Sequence, residues 1–260
     1  MRNTAKILFA FVVVSLFNNV PGFGQKINND HLLNATIWYQ RAGEMKALCY
    51  QAYNLAQLRL DQTISKPLSG KLAIVVDIDE TVLDNSPFEA RCIINKTVYP
   101  KGWSEWVAES NALAIPGAVE FLNYASSKNV EVFYISNRKV EEKEATIKNL
   151  KHAGFPMADD THLMLKTNTS NKEERRQNLL KTHKIIMLIG DNLNDFTDIF
   201  ERRCPYERNF ITDSVRNEFG KRFIVLPNPM YGDWESSLFD YQKLTPEEQA
   251  KLRKEFLREN

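Results

Sequence analysis

The chain has 260 residues, of which 43% are hydrophobic and 26% are charged, as in an ordinary soluble globular protein. The formal net charge of +1 gives no electrostatic argument for a nucleic-acid polymer or an anionic membrane as a partner. An anionic substrate must therefore be attracted by local groups or by a metal ion.

The N-terminus has the pattern of a secretory signal. Two basic residues precede the apolar run 7–17, which is shorter than the roughly 20 residues that a membrane span needs. Gly22 and Gly24 are small residues suited to a cleavage site, so residues 1–24 are predicted to be removed before Gln25. No cysteine near this site could carry a lipid. We expect an exported protein, periplasmic or secreted, without a stable membrane anchor; an uncleaved N-terminal anchor is the alternative.

The three cysteines, Cys49, Cys92 and Cys204, form no Cys-x-x-Cys pair. A zinc knuckle or a thiol–disulfide redox motif is therefore unsupported. Three separate thiols are expected, although an oxidising compartment would allow two of them to pair.

Helical spacing of apolar residues marks 28–62 as helix, and the pattern breaks at 65–70. From residue 72 onward, short and mostly continuous apolar runs alternate with helix-like stretches. The predicted strands are 72–76, 130–135, 162–165, 185–189 and 223–226, and the predicted helices between them are 117–128, 139–152, 171–182 and 212–219. Continuous apolar runs are typical of strands buried on both faces. This alternation predicts an α/β fold with a doubly wound parallel sheet.

The ends of the chain are predicted to be helical and to pack together as a smaller domain. Thr245 is a candidate N-cap for a helix in the tail 244–260, with Pro246 in the first turn. The domain boundaries expected from these patterns are an N-terminal helical segment at 25–70, a core at 71–230 with a small cap insertion at 85–116, and a C-terminal helical segment at 231–260.

Two pairs of carboxylates follow predicted strands. Asp77 and Asp79 come directly after 72–76, and Asp191 and Asp195 come after 185–189. Ligands of parallel sheets bind outside the carboxyl ends of the strands, so both pairs should meet at one edge. Such carboxylates repel one another unless a cation lies between them or one has a raised pKa. A single pair is often only a helix cap, but the two together predict a metal site, and Mg²⁺ prefers oxygen ligands.

Polar residues also follow two other strands. Ser136 and Asn137 come after 130–135 and could hold phosphate oxygens, although a turn that caps the next helix is an alternative. Lys166 follows 162–165. A lysine there is usually solvated, but in a carboxylate-rich cleft its ammonium would steady a phosphoryl group.

These residues resemble, in order, the four motifs of the haloacid dehalogenase superfamily. The fit to its class C acid phosphatases, also called the DDDD group, covers nearly the whole mature chain. The segments that carry the resemblance are Lys46–Tyr53 (KALCYQAY), Asp77–Pro87 (DIDETVLDNSP), Ile115–Phe121 (IPGAVEF), Ser136–Arg138 (SNR), Gly190–Phe196 (GDNLNDF) and Ile224–Trp234 (IVLPNPMYGDW).

The resemblance implies a magnesium-dependent phosphomonoesterase. Asp77 would attack phosphorus to form an aspartyl-phosphate, and Asp79 would act as general acid and then as general base. The implied Mg²⁺ ligands are Asp77, Asp191 and the backbone carbonyl of Asp79, with Asp195 coordinating or holding bound waters; the implied phosphoryl ligands are Ser136, Asn137 and Lys166. Better-known family members are outer-membrane lipoproteins that dephosphorylate nucleoside monophosphates, whereas this chain lacks their lipid-accepting cysteine.

The expected substrate is a nucleoside 5'-monophosphate or another small phosphomonoester. The short cap suggests an open cleft, in which Phe88, Trp103 and Tyr231 are candidates for stacking a base; ordinary core packing is the alternative for each. A phosphotransferase would use the same residues, and a non-enzymatic exported binding protein would be expected to lose Asp77. Asp79 argues against a dehalogenase. The sequence leaves open whether the chain forms a homodimer.

Overall fold

The structure is a computed structural model that describes residues 30–259. The predicted signal at 1–24 and the predicted mature start at Gln25 lie outside the described residues. Within the described part of the chain, no helix is both long and apolar enough to cross a bilayer. Within residues 30–259, Cys49, Cys92 and Cys204 form no disulfide bond.

Helices and strands alternate along most of the described chain. In order they are α1 (Asp30–Arg41), α2 (Gly43–Ile64), β1 (Lys71–Val76), β2 (Leu83–Asp84), α3 (Ser86–Asn95), α4 (Trp103–Glu109), β3 (Leu113–Ala114), α5 (Ala118–Ser127), β4 (Val130–Lys139), α6 (Lys143–His152), β5 (Leu163–Lys166), α7 (Glu173–Leu180), β6 (His183–Gly190), α8 (Pro205–Ser214), β7 (Phe223–Val225), α9 (Asp233–Leu238) and α10 (Pro246–Glu255). All five predicted strands are present.

Five strands form a parallel sheet in the order β5-β4-β1-β6-β7. The chain runs from the central strand β1 outward through β4 to β5, and then fills the other side with β6 and β7. The doubly wound α/β fold predicted from the sequence is thereby confirmed. Because the strand order reverses beside β1, the carboxyl ends of β1 and β6 border the crevice in which such sheets bind ligands.

Burial on both faces of β1 explains why its sequence is a continuous apolar run. Ile74 and Val76 pack in one cluster with Tyr53 of α2. Ala73 and Val75 pack in a second cluster with Leu179 of α7. Alternate strand residues point to opposite faces, so a strand covered on both sides needs apolar residues at every position.

The N-terminal helices pack against the loop that follows β1. The Tyr53 hydroxyl of α2 donates to the Thr81 carbonyl oxygen at 2.6 Å. The Tyr39 hydroxyl of α1 donates to the backbone carbonyl oxygen of Glu80 at 3.4 Å. The buried residues of α2 belong to the same apolar cluster as the sheet. The domain boundaries at 25–70, 71–230 and 231–260 stay predictions.

The cap segment, residues 85–116, leaves the sheet at the short antiparallel pair β2–β3. It carries α3 and α4. Ile115 N donates to the Val82 carbonyl oxygen at 2.9 Å, which closes the base of the segment. The segment is therefore fixed next to the loop that follows β1.

Two helix predictions were wrong in their bounds. The predicted helix 212–219 starts earlier, as α8, because Pro205 occupies the first turn and Glu207 completes a capping box with Cys204. Tyr206 and Phe210 on that helix are exposed, so its apolar residues do not mark a buried face. The predicted helix 28–62 divides at Ala42, whose backbone is extended.

Candidate active site

Three carboxylates meet at the carboxyl edge of the sheet. Asp77 follows β1, and its N–H donates to the Ile189 carbonyl oxygen of β6 at 2.9 Å. Asp191 follows β6, and Asp195 ends a short 3-10 turn. One ligand oxygen from each of Asp77, Asp191 and Asp195 lies within 4.8 Å of the other two. The structure thus brings together three of the four carboxylates that the sequence predicted to converge, and the Asp79 carboxylate is not part of this group.

Gly190 is needed for Asp195 to enter this cluster. A Cβ atom at position 190 would lie 2.3 Å from Asp195 Oδ2 and 2.4 Å from its Cβ, much closer than atoms can pack. Asp195 Oδ2 also accepts a hydrogen bond from the Asn192 N–H at 2.9 Å. The turn at 190–195 thus presses one carboxylate against the end of β6.

The lysine in this cluster is Lys172, and the prediction of Lys166 needs correction. Lys172 Nζ donates to Asp195 Oδ1 at 2.6 Å and also to Asp77 Oδ1, and its side chain is only 7% exposed. Lys166 ends β5, where it is paired in register with Lys139, and does not line the cavity. Lys172 lies on the loop between β5 and α7, and this loop places its ammonium at the carboxyl end of β1.

Burial and like charges perturb the carboxyl groups. Burial, with Asp195 and Asp79 nearby, raises the pKa of Asp77 to about 7 against the opposing effect of Lys172. Burial and the charges of Asp195 and Asp77 also raise the pKa of Asp191 well above its usual range. Burial would lower the pKa of Lys172, but Asp195 and Asp77 raise it overall, so the ammonium form is favoured.

The donor set fits a divalent cation. Asp77, Asp191 and Asp195 offer hard oxygen ligands of the kind that Mg²⁺ takes in proteins. One buried lysine gives a single positive charge to three carboxylates. Burial, together with the like charges of the neighbouring carboxylates, still raises the pKa of Asp77 and of Asp191, so a bound cation would favour their ionised forms. Asn228 Nδ2 donates to Asp191 Oδ2 at 2.8 Å and orients that carboxylate.

Asp79 is held by a different set of partners. Arg138 Nε donates to Asp79 Oδ1 at 3.0 Å, and Asn85 Nδ2 donates to the same oxygen at 2.8 Å. The Ser136 hydroxyl donates to Asp79 Oδ2 at 3.3 Å. Asp77 and Asp79 are therefore two carboxyl groups with separate environments: one shares Lys172, and the other is fixed by a guanidinium, an amide and a hydroxyl.

The strand end that carries Ser136 is tied to the loop that carries Lys172. Arg175 Nη1 donates to the Ser136 carbonyl oxygen at 2.7 Å, and its Nη2 donates to Asn137 Oδ1 at 2.8 Å and to the Asn171 carbonyl oxygen at 3.3 Å. Asn137 lines the cavity, whereas the Ser136 side chain is buried beside Asp79. Their roles in phosphate binding stay predictions.

A cavity of about 1070 Å³ opens over these groups. Trp103 of the cap segment and Tyr231 line it. Phe88 does not line the cavity; it is buried and packs edge-on against Trp103, with ring centroids 5.1 Å apart. The structure therefore separates the three aromatic candidates: Trp103 and Tyr231 face the cavity, and Phe88 packs behind Trp103.

Sequence reasoning missed two buried cations as site residues. Lys172 lies on a loop beyond β5, and no local pattern distinguishes it from other lysines. Arg138 is next to Ser136 and Asn137, and its place on the continuation of β4 was a usable signal, since a side chain two residues after Ser136 points to the same face.

A family model described as HAD superfamily, subfamily IIIB (acid phosphatase) matches residues 18–234 of the chain. Solved structures agree with it. The class C acid phosphatase from Bacillus anthracis is 45% identical, with a TM-score of 0.87, and the comparison covers 89% of this chain and 98% of that one. A second structure of that phosphatase, with tungstate bound, gives the same identity, coverage and TM-score.

Two stem glycoproteins of Glycine max are also similar. The stem 31 kDa glycoprotein is 30% identical over 168 residues, which are 60% of this chain and 58% of the relative. The stem 28 kDa glycoprotein is 27% identical over 225 residues, which are 80% of this chain and 78% of the relative. The match thus spans less than two thirds of the 31 kDa relative's length.

Proposed function

This chain belongs to the acid phosphatases of subfamily IIIB of the HAD superfamily, a family of phosphomonoester hydrolases, and we propose that it is an exported, magnesium-dependent phosphomonoesterase with Asp77 as its nucleophile. One observation carries the proposal. The Asp77 carboxylate lines a large cavity and lies beside Asp191, Asp195 and Lys172. A nucleophile, a cation site and a buried positive charge therefore converge where a phosphoryl group can enter.

Asp77, Asp191 and Asp195 would hold the magnesium ion, together with the backbone carbonyl of Asp79. Bound there, Mg²⁺ neutralises charge on the phosphoryl oxygens and on the carboxylates. Support for an oxyanion site comes from the Bacillus anthracis relative, which was solved with tungstate bound. Tungstate, like phosphate, is a tetrahedral oxyanion.

The protein's own groups divide the chemistry between them. The Asp77 carboxylate attacks phosphorus, and the bond from phosphorus to the alcohol oxygen breaks as Asp79 gives that oxygen a proton. The products of this step are the free alcohol and an aspartyl-phosphate on Asp77. Asp79 then takes a proton from water, whose oxygen attacks the same phosphorus. The bond from phosphorus to the Asp77 oxygen breaks, which releases inorganic phosphate and restores the Asp77 carboxylate.

Positioning accounts for most of the rate in such a reaction. The ammonium of Lys172 lies beside the attacking carboxylate and is suited to hold a phosphoryl oxygen. Asn137 lines the cavity and offers an amide donor. Ser136 and Arg138 both contact Asp79, so their contribution includes the orientation of the proton donor.

A nucleoside 5'-monophosphate is the proposed substrate. Trp103 and Tyr231 line the cavity and offer flat apolar surfaces for a base. The backbone and side-chain groups around Asp77 recognise only the phosphoryl group, so discrimination between monoesters must come from the remaining lining.

Export is proposed from the N-terminal pattern at 1–24. The intact mass of the exported protein should correspond to a start at Gln25 without an acyl group.

The decisive experiment compares the wild type with Asp77→Asn on a panel of phosphate esters, with and without Mg²⁺. We expect the wild type to release inorganic phosphate only with the metal present. The folded variant should lose at least about a thousandfold in kcat, since an amide cannot attack phosphorus. A variant that retains turnover within about tenfold of the wild type would refute Asp77 as nucleophile. An added alcohol acceptor would expose phosphotransfer as the alternative outcome.

A further inference from the structure

The C-terminal helix α10 forms part of the cavity above the carboxylates. Gln249, Ala250 and Arg253 of this helix line the same cavity as Asp77 and Asn137. The cavity volume of about 1070 Å³ lies just above the usual range for small-molecule sites, about 300–1000 Å³. A simple phosphate ester at Asp77 would leave much of this space empty.

α10 is attached to the rest of the chain through Arg253. Arg253 Nε and Nη2 donate to Glu235 Oε1 of α9 at 3.0 and 2.8 Å. Its Nη2 is also 3.0 Å from His31 Nε2 of α1. The guanidinium lies over the ring of Phe239, 5.2 Å from the centroid. One side chain therefore joins α10 to two other segments, α1 and the segment 235–239.

The helix is held at the surface of the described chain and not through its core. None of its residues is buried, so it contributes no side chain to the apolar core. A ten-residue helix is shorter than the roughly 12–15 residues at which isolated helices become marginally stable in water. Surface contacts must therefore fix its position beside the cavity, and those of Arg253 reach other segments. The N-cap Thr245, whose side chain accepts a hydrogen bond from the Glu248 N–H, stabilises the start of the helix.

We propose that α10 is a specificity wall, held in place by Arg253, which contacts the alcohol part of large phosphomonoesters such as nucleoside monophosphates. Arg253 is a positioning residue, because it acts through the placement of the helix. The inference rests on the proposed phosphomonoesterase activity and extends it to the chain segment that selects substrates by size. A small aryl ester, held mainly at its phosphoryl group, depends less on this wall.

The test is the ratio of the KM for adenosine 5'-monophosphate to the KM for p-nitrophenyl phosphate, measured with Mg²⁺ on the full-length protein. Arg253→Met keeps the aliphatic stem but removes the guanidinium, and the ratio should rise about tenfold, equivalent to about 1.4 kcal/mol of binding. The kcat for the nucleotide should change little, since the reacting groups are untouched. Arg253→Lys retains the charge and should recover part of the ratio.

Two further variants make the test specific. Lys251→Met alters an exposed lysine of the same helix, which lies 3.7 Å from Glu255, and should leave the ratio unchanged. Glu235→Gln removes the partner of Arg253. If the pair acts as one anchor, the double variant should be no worse than either single variant, whereas additive effects would overturn the anchoring role.

An unchanged ratio in Arg253→Met, or an equal rise of KM for both esters, would overturn the inference while leaving the proposed function intact. A thermal melt identifies unfolding, and an Arg253→Met protein that unfolds is replaced by Glu235→Gln for the same comparison. Failure of the wild type to hydrolyse either ester would refute the proposed function, so the two failures are distinguishable.

Discussion

Arg138 and Asp79 form a largely buried ion pair in which Nη2 lies 2.8 Å from Oδ1, with the arginine side chain 1% exposed and the aspartate side chain 19% exposed. The same guanidinium donates to the Thr146 hydroxyl oxygen of α6 at 3.1 Å. Asp79 is therefore fixed against a rigid part of the core. The sequence analysis named Arg138 only as part of a motif. In the structure it contacts Asp79, the group proposed to transfer the proton.

Replacement of Arg138 by methionine should lower kcat more than it changes KM. The expected loss is about 10- to 1000-fold, equivalent to about 1.4–4 kcal/mol, because Asp79 loses the partner that orients it. Stability should fall as well, since removal of one member of a buried pair leaves a charge uncompensated. Steady-state kinetics on protein shown to be folded by its thermal melt is the measurement.

The control for this prediction is Arg203→Met, which removes an exposed arginine paired with Glu207 at 3.7 Å. Exposed pairs contribute little, so both kcat and stability should stay close to wild type. Arg138→Lys restores the charge without the two-nitrogen contact to Asp79 and should fall between the two. A kcat for Arg138→Met within about twofold of wild type would contradict the positioning role.

Lys172→Met and Lys166→Met should behave very differently. Lys172 is buried against Asp77 and Asp195, so its loss leaves two carboxylates without their ammonium and should reduce kcat/KM by about 100-fold or more, equivalent to about 2.7 kcal/mol. Lys166 ends β5 away from the cavity lining, and its loss should have less than about threefold effect. Equal losses in the two variants would restore Lys166 as a site residue.

This contrast shows which parts of the fold and site were predictable. The strands and the aspartates of the cluster follow from local patterns, because an apolar run fixes where a strand ends and the next residues must lie at that edge. Lys172 is six residues beyond β5. Its position depends on Arg175, which donates to the Ser136 carbonyl oxygen and to Asn137 Oδ1. Such contacts between distant segments leave no local pattern in the sequence.

The placement of α10 illustrates the same limit. Thr245 was recognisable as an N-cap from its neighbours, and its side chain does accept from the Glu248 N–H. The contact of Arg253 with Glu235 and His31 joins segments that are far apart in the sequence. Local chemistry therefore predicted that the helix exists, and only the tertiary structure reveals which cavity it borders.

Magnesium should raise the melting temperature of the wild type. At about 100 times the dissociation constant, a ligand specific for the folded state stabilises it by about 2.7 kcal/mol. Asp191→Asn should lose most of this response, because it removes one of the three clustered carboxylates. In metal-free buffer the same variant should be more stable than wild type, since burial and like charges oppose ionisation of Asp191.

Differential scanning fluorimetry with and without chelator makes this measurement independently of turnover. Asp213→Asn, at an exposed position of α8, is the matched control and should retain the full response to Mg²⁺. An Asp191→Asn protein whose melting temperature rises as much as that of the wild type would show that the ion does not bind at this cluster.

Glu89 should make stability depend on pH. Burial and the neighbouring Glu235 raise the pKa of Glu89 from 4.5 to about 7. The folded state therefore holds the proton more tightly than the unfolded state does. The stability that this confers is fully present below about pH 4.5 and is lost as the pH rises through about 7. Glu89→Gln, which cannot ionise, should gain stability relative to wild type on the alkaline side of this window.

Urea unfolding at both ends of the window tests the sign. The difference in unfolding free energy between Glu89→Gln and wild type should move in favour of the variant as the pH rises. Glu120→Gln, at an exposed position of α5, should show no such trend. A difference that is constant with pH, or one that favours the wild type at high pH, would contradict the raised pKa of Glu89.

Tyr231 should contribute to nucleotide recognition and not to the chemical step. It lines the cavity, and stacking on an aromatic ring is worth about 1–3 kcal/mol per base. Tyr231→Leu should therefore lower kcat/KM for a nucleoside monophosphate by about 5- to 150-fold. The effect on p-nitrophenyl phosphate should be much smaller, since the phosphoryl group supplies most of its contacts.

Tyr206→Leu, at a tyrosine of α8 that is 78% exposed and does not line the cavity, is the matched control. Trp103→Ala is a less clean test, because Trp103 is 8% exposed and packs against Phe88, so its loss disturbs the cap segment as well. Equal losses on both esters in Tyr231→Leu would identify Tyr231 as a packing residue and leave nucleotide preference to be carried by other groups of the cavity.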